Sequence, residues 1–116
     1  MGTFMVQVDY ADDGEQYLVR VADGGDKLAH SETLHNWGDA WDVANHLTTQ
    51  TDRYKFEVTG TKDPTHPHSW HAMRVGRIII WSNYRYELRT HAELEMRRIQ
   101  GKLPGAPVRD LTVARR

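Results

Sequence analysis

Three imidazoles fall within six residues in the segment His66-Pro67-His68-Ser69-Trp70-His71. Neutral imidazole nitrogen is a common ligand for zinc and related divalent metals. Alternate residues of an extended segment share a face, so His66 and His68 could look at one ion, with His71 supplying a third ligand. Asp63, just upstream, offers a carboxylate. His66, His68 and His71 are therefore the candidate metal ligands. The competing reading is a solvated polar loop, bounded by Pro64 and Pro67, in which the histidines serve no ion.

The other chemical signals are weaker. In the H-x-H-x-D-H motif of metallo-β-lactamase-fold hydrolases an acid stands where this chain has Trp70, and the chain is too short for that fold, so that family is set aside. No G-x-S-x-G elbow surrounds Ser69, and Gly24-Gly25 opens no helix, so the serine-hydrolase and phosphate-loop signatures are missing. There is no cysteine, which excludes thiolate nucleophiles, disulfides and cysteine-ligated zinc. No set of nucleophile, base and oxyanion donor asks to be read together. The residues point away from an enzyme, and no cofactor is expected.

Charge is unevenly spread along the chain. Residues 1–60 carry a balance of −7 and residues 61–116 one of +6, against a net charge of −1. In the basic half Arg74, Arg77, Arg85, Arg97 and Arg98 surround Trp81, Tyr84 and Tyr86. Guanidinium groups contact phosphate and aromatic rings stack on bases, so these eight residues are candidates for binding a single-stranded nucleic acid or another partner. A near-neutral pI of about 6.6 weighs against nucleic acid, as does the lack of a helix-turn-helix, RNP or zinc-finger pattern. Strands that are neighbours in space interleave distant sequence, so the halves are expected to mix their charges on folding.

These side chains need a scaffold, and periodicity outlines one. Phe4, Val6, Val8 and Tyr10 alternate with polar neighbours, and Tyr17, Val19 and Val21 repeat the pattern across an Asp13-Gly14 turn. Two antiparallel strands are expected at 4–10 and 15–22. Residues 27–35 fit either strand or loop. Asn36 is placed to cap a helix over 37–50, with Trp37, Ala40, Trp41, Ala44 and Leu47 on one face. Both tryptophans are expected to cover the sheet.

Tyr54, Phe56 and Val58 alternate with Arg53, Lys55 and Glu57, so a third strand is expected there, ending at Gly60, with a loop over 61–71. A fourth strand follows from Met73 to Trp81, whose Ile78-Ile79-Ile80-Trp81 run suggests cover on both faces. A short fifth is expected around 84–88. Thr90 and Glu93 read as a capping box before a stripe of Ala92, Met96, Ile99 and Leu103, with the helix ending near Gly101.

The expected fold is α+β: a mainly antiparallel sheet of four or five strands with two helices packed on one face, in the order ββαββ(β)α. Residues 1–103 form a single domain, and 104–116 read as a C-terminal arm or tail carrying proline and arginine. A doubled unit is conceivable, although the halves share no obvious residue-level similarity. The longest apolar run is far too short to span a bilayer and no signal peptide is legible, so a cytoplasmic protein without a membrane role is expected.

The functional expectation is a non-catalytic binding or adaptor module acting through protein contacts, with itself as one conceivable partner in a homo-oligomer. The arginine bias, eleven Arg to four Lys, would suit a phage or mobile element from a GC-rich host. The alternative is a nucleic-acid-binding accessory protein. A metal-binding protein or enzyme built on the three histidines comes third.

Overall fold

The structure is a computed structural model and describes residues 3–113. Alternation of Val6 and Val8 with Met5 and Gln7 builds β1 (Phe4–Tyr10), which turns through Asp13-Gly14 into β2 (Tyr17–Asp23). The Asp13 carboxylate accepts from the Glu15 and Gln16 amides at 2.9 Å each, fixing the turn. β3 (Asp26–Ser31) follows a two-residue Gly24-Gly25 turn, which resolves the ambiguous 27–35 segment as a strand over its first part.

Helix α1 (Trp37–Thr49) starts at Asn36, whose side chain accepts from the Asp39 amide at 2.8 Å, and it buries Ala40, Ala44 and Leu47. Trp37 and Trp41 stack at 5.2 Å but stay half-buried, at the margin of the core rather than inside it. After a short 3-10 turn (Thr51–Arg53), β4 (Lys55–Gly60) begins a second set of elements.

Among the described residues the sheet has seven strands, not four or five. β3, from the ambiguous 27–35 segment, supplies one of the extra strands, and three local features reshape the rest. First, Met73–Trp81 is not one strand. The chain reverses at Val75-Gly76, both with positive φ, and splits the segment into β5 (His68–Arg74) and β6 (Arg77–Ser82). Valine is a strand former, so its sequence signal hides the turn. Second, the expected loop over 61–71 ends at Pro67, because His68–His71 already pair with β4. Third, after helix α2 (Arg89–Lys102), residues Val108–Asp110 form β7, which lies parallel to β1. The segment read as an arm thus contributes a strand, and 114–116 lie outside the described residues. The expected fifth strand at 84–88 is only a single bridge, His68 to Tyr86. Thr90 and Glu93 form no capping box either: Leu88 occupies the N-cap and offers no side-chain acceptor.

Strand order is β4-β5-β6-β3-β2-β1-β7. The first six strands and two helices are two βββα units joined through the antiparallel β3–β6 pair. Backbone details repeat between the units. Each second hairpin has a two-residue turn. Each carries a register shift at the same place, Val21/Ala22 in one and Ala72/Met73 in the other. Each strand opposite the shift contributes an extra residue, Leu28 or Ile79, and each unit has one isolated bridge, Tyr17 to Leu34 or His68 to Tyr86. At the junction His30 faces Trp81, flanked by Ala29–Ser82 and Ser31–Ile80, so an approximate two-fold axis passes between His30 and Trp81.

One face of the sheet is apolar. Val6, Val8, Val19, Val21, Ala29, Phe56, Trp70, Ala72 and Ile80 pack in one cluster with Ala40, Ala44 and Leu47 of α1 and Met96, Ile99 and Leu103 around α2. Both helices therefore cover the same face, and among the described residues the opposite face carries no helix. No helix among the described residues is long and apolar enough to cross a membrane.

Candidate functional site

The sheet register brings the side chains of the helix-free face into rows. One row runs across the whole sheet: Arg109, Gln7, Arg20, His30, Trp81, His71 and Glu57, each opposite the next. In-register residues share a face because side chains alternate along each strand. About the two-fold axis His30 matches Trp81, Arg20 matches His71, and Gln7 matches Glu57. The row is thus a palindrome in position and not in chemistry.

At its centre the His30 ring lies over the Trp81 indole, with centroids 6.3 Å apart and planes 27° from parallel. The His30 Nδ1 also holds a short hydrogen bond with the Asn83 amide oxygen, and the Asn83 amide group donates to the Lys27 carbonyl at 2.9 Å. On one flank Arg20 donates to Asp9 Oδ2 at 2.8 Å, and both are largely buried. On the other flank His71 Nε2 and Glu57 Oε1 are 2.7 Å apart. That bond, more than the nearby Lys55 charge, holds the Glu57 carboxyl below the usual carboxylate range. The Arg20 charge is therefore neutralised in place, and the Glu57 carboxylate is held by the His71 ring. Apolar side chains share the face by register in the positions above and below this row, Met5 on β1, Leu18 on β2 and Met73 on β5.

Beside Trp81 a groove of about 480 Å³ opens toward the β4–β5 end. Its lining includes Trp81, His30, the hydroxyls of Thr59 and Ser69, and the cations Lys62 and Arg85, with no carboxylate. A smaller hollow of about 330 Å³ lies between α1 and the sheet, where Glu32, Asp39 and Asp42 surround Val43 and Ile79.

The three candidate histidines are not brought together. His68 and His71 sit three apart on one strand and so face opposite sides of the sheet. His71 is committed to Glu57. His66 stays in the loop, where its Nδ1 is 3.8 Å from Asp63 Oδ2 and its Nε2 is 3.9 Å from Glu87 Oε1. Asp63 in turn is held low by hydrogen bonds from the Thr65 hydroxyl and amide. Among the described residues no group of three His, Asp or Glu side chains could hold a metal.

The arginine and aromatic candidates also disperse. Trp81 lies at the centre of the bare face and Arg85 at the rim of the groove, 3.8 Å from Asp63. Tyr86 is half-buried against the core on the helix side, and burial holds its hydroxyl above the usual phenol range. Arg74 and Arg77 flank the Val75-Gly76 turn at the far end of β6, and Arg77 makes a short ion pair with Glu32. Tyr84 donates a short hydrogen bond to Asp26. Arg97 and Arg98 are on α2, bonded to Gln100 and Glu95, with Arg98 also 3.5 Å from Asp23. Two of these contacts, Arg77 to Glu32 and Arg98 to Asp23, are ion pairs between the basic and acidic halves, so the halves do mix their charges. Sequence reasoning missed Arg20, His30, Asp9 and Glu57, because only strand register reveals that they line up with Trp81.

Fold and site together define a small α+β protein of two βββα units with one bare sheet face. Such a fold has been solved before: the chain is similar to the solution NMR structure of yegP from E. coli, a protein of unknown function, with a TM-score of 0.67 and 16% identity over 96% of this chain and 95% of that one. No family model and no curated protein matches the chain. The likeness shows the fold alone.

Proposed function

We propose that the chain is a non-catalytic binding module and that the helix-free face of its sheet docks on a protein partner. The observation behind this reading is the composition of that face. Met5, Leu18, Met73 and Trp81 stand among polar groups that already have partners: Arg20 pairs with Asp9, and the His71 ring is hydrogen-bonded to Glu57. A face that interleaves apolar side chains with polar groups already partnered suits a protein interface, where uncompensated charge would be costly to desolvate. Tryptophan near the middle of such a face is a preferred anchor.

A second reading has one specific observation in its favour. The groove beside Trp81 holds Lys62 and Arg85 and no carboxylate, which suits a phosphate with a base stacked on the indole.

One set of measurements separates the two. A photo-crosslinking residue is placed at Gln7 on the bare face and, as control, at Arg97 on α2, and cells of the source organism are irradiated. The first reading expects discrete protein adducts at Gln7, absent at Arg97 and reduced by Trp81→Ala. A second copy of the chain would count as such a partner. Submicromolar binding of a mixed-sequence oligonucleotide at physiological salt, lost in Trp81→Ala, would overturn the first reading in favour of the second. Salt would then weaken binding steeply, because neutralised phosphates release counterions.

A further inference from the structure

The approximate two-fold axis makes β1 and β4 equivalent, and their outer edges are treated differently. The outer edge of β1 is occupied. Val6 N–H donates to the Pro107 carbonyl at 2.9 Å, Leu111 N–H donates to the Val8 carbonyl at 2.8 Å, and Val108–Asp110 runs parallel between these bonds. Among the described residues β4 is the last strand on its side. Thr61 N–H donates inward to the Pro67 carbonyl at 2.9 Å. Because a strand alternates the direction of its backbone groups, Glu57 and Thr59 also bond toward β5, while Phe56 and Val58 turn their N–H and C=O outward.

Three further facts mark this edge as built to take a strand. The β4–β5 ladder runs from Lys55–Met73 to Gly60–His68 without a register shift, and β4 contains no proline, so neither bulge nor proline blocks the edge, whose charges are Lys55 and Glu57. Val58 is only partly buried, whereas its equivalent Val8, beside β7, is fully buried. The position that serves β7 is also preserved in altered form. Trp37, the first residue of α1, donates from Nε1 to Asp110 Oδ2 at 3.0 Å. The first residue of α2 is Arg89, an exposed cation.

We propose that the β4 edge captures an extended peptide segment of a partner protein, parallel to β4, with an apolar residue opposite Phe56 and an aspartate or glutamate two residues later that meets Arg89. Backbone groups supply attachment, and the carboxylate supplies selection, as in other cases of strand addition. The proposal rests on the reading of the chain as a binding module. The two are separable, because docking on the bare face reads out at His30 and Trp81 and edge capture at Phe56 and Val58.

The probe is a synthetic peptide with the sequence of residues 105–112 of this chain, which carries the required valine and aspartate. It is titrated into the ¹⁵N-labelled full chain. Saturable shifts and slowed amide exchange at Phe56 and Val58 are expected. Replacing the peptide aspartate by asparagine, or Arg89→Glu in the protein, should weaken binding about tenfold, the loss of one charge-assisted hydrogen bond. Val58→Pro removes an outward N–H without touching the β4–β5 bonds and should abolish binding. If that variant misfolds, a peptide N-methylated on the groups that face β4 gives the same answer on the unmodified protein. Shifts confined to Val6–Val8 would mean that the peptide only displaces β7, and would overturn the proposal. So would shifts centred on Trp81, the absence of any shift at millimolar peptide, or a dimer of the chain dissolved by Val58→Pro, which would assign the edge to a second copy.

Discussion

Trp70 and Trp41 show how much a residue's role depends on the element that carries it. Trp70 is 1% exposed and packs its ring 6.2 Å from Phe56, at the centre of the second unit's core. Trp41 lies half-buried on the flank of α1 against Trp37. Emptying a fully buried aromatic site costs about 3–5 kcal/mol. Trp70→Ala should therefore lower stability by about that amount, and Trp41→Ala by clearly less, as read by urea denaturation with an unchanged m-value. The reverse order would move the core to the α1 flank. The sequence marks Trp41 as core through its helical spacing but leaves Trp70 in a polar segment between prolines and histidines. Composition hides it there, since only pairing with β4 turns that stretch into a strand. The same holds for the candidate metal site. Spacing made His66, His68 and His71 look convergent, and a strand beginning at His68 sends His68 and His71 to opposite faces.

At the scale of elements, the two second hairpins share a two-residue turn and a register shift but differ in turn sequence and backbone. Of the first pair only Gly24 has positive φ, while Val75 and Gly76 both do. Gly24-Gly25 closes one without steric penalty. Val75-Gly76 closes the other, with Val75 at φ 51° and its side chain 92% exposed, so the isopropyl group gains no packing in return. A β-branched residue in the left-handed region costs on the order of 1–2 kcal/mol, and Asn-Gly is the preferred pair for such a turn. Val75→Asn should accordingly stabilise the protein by about 1 kcal/mol, seen as a rise in Tm with the amide spectrum otherwise unchanged. No rise would mean that the turn is relaxed in another form. The first unit was the more legible one for this reason: Asp13-Gly14, Gly24-Gly25 and the Asn36 cap announce its boundaries. In the second unit Val75 and the N-cap Leu88 stand where such signals would be, and Thr90 and Glu93 mimic a cap that the helix does not use.

At the scale of the molecule, the duplication was hard to read because equivalent core positions differ. Val19 matches Trp70, Val21 matches Ala72 and Ala29 matches Ile80, so large and small residues exchange places while the cluster stays filled. Packing constrains total volume and pattern more than identity. The C-terminal strand closes the arrangement on one side, with Thr112 fully buried behind it and its hydroxyl 2.5 Å from Asp110. Ending the chain after Gly105 should therefore cost at least about 2 kcal/mol, two backbone hydrogen bonds with their burial. It should also speed amide exchange at Val6 more than at Val19. An unchanged melt would show that β7 only rests on the sheet. The two-fold axis between His30 and Trp81 has one more consequence. In a dimer of identical chains any substitution appears twice, and a face on the axis reads the same from both ends. Here both halves belong to one chain, so imidazole stands on one side of the axis and indole on the other. The face therefore has a head and a tail, and whatever settles on it can be held in a single orientation.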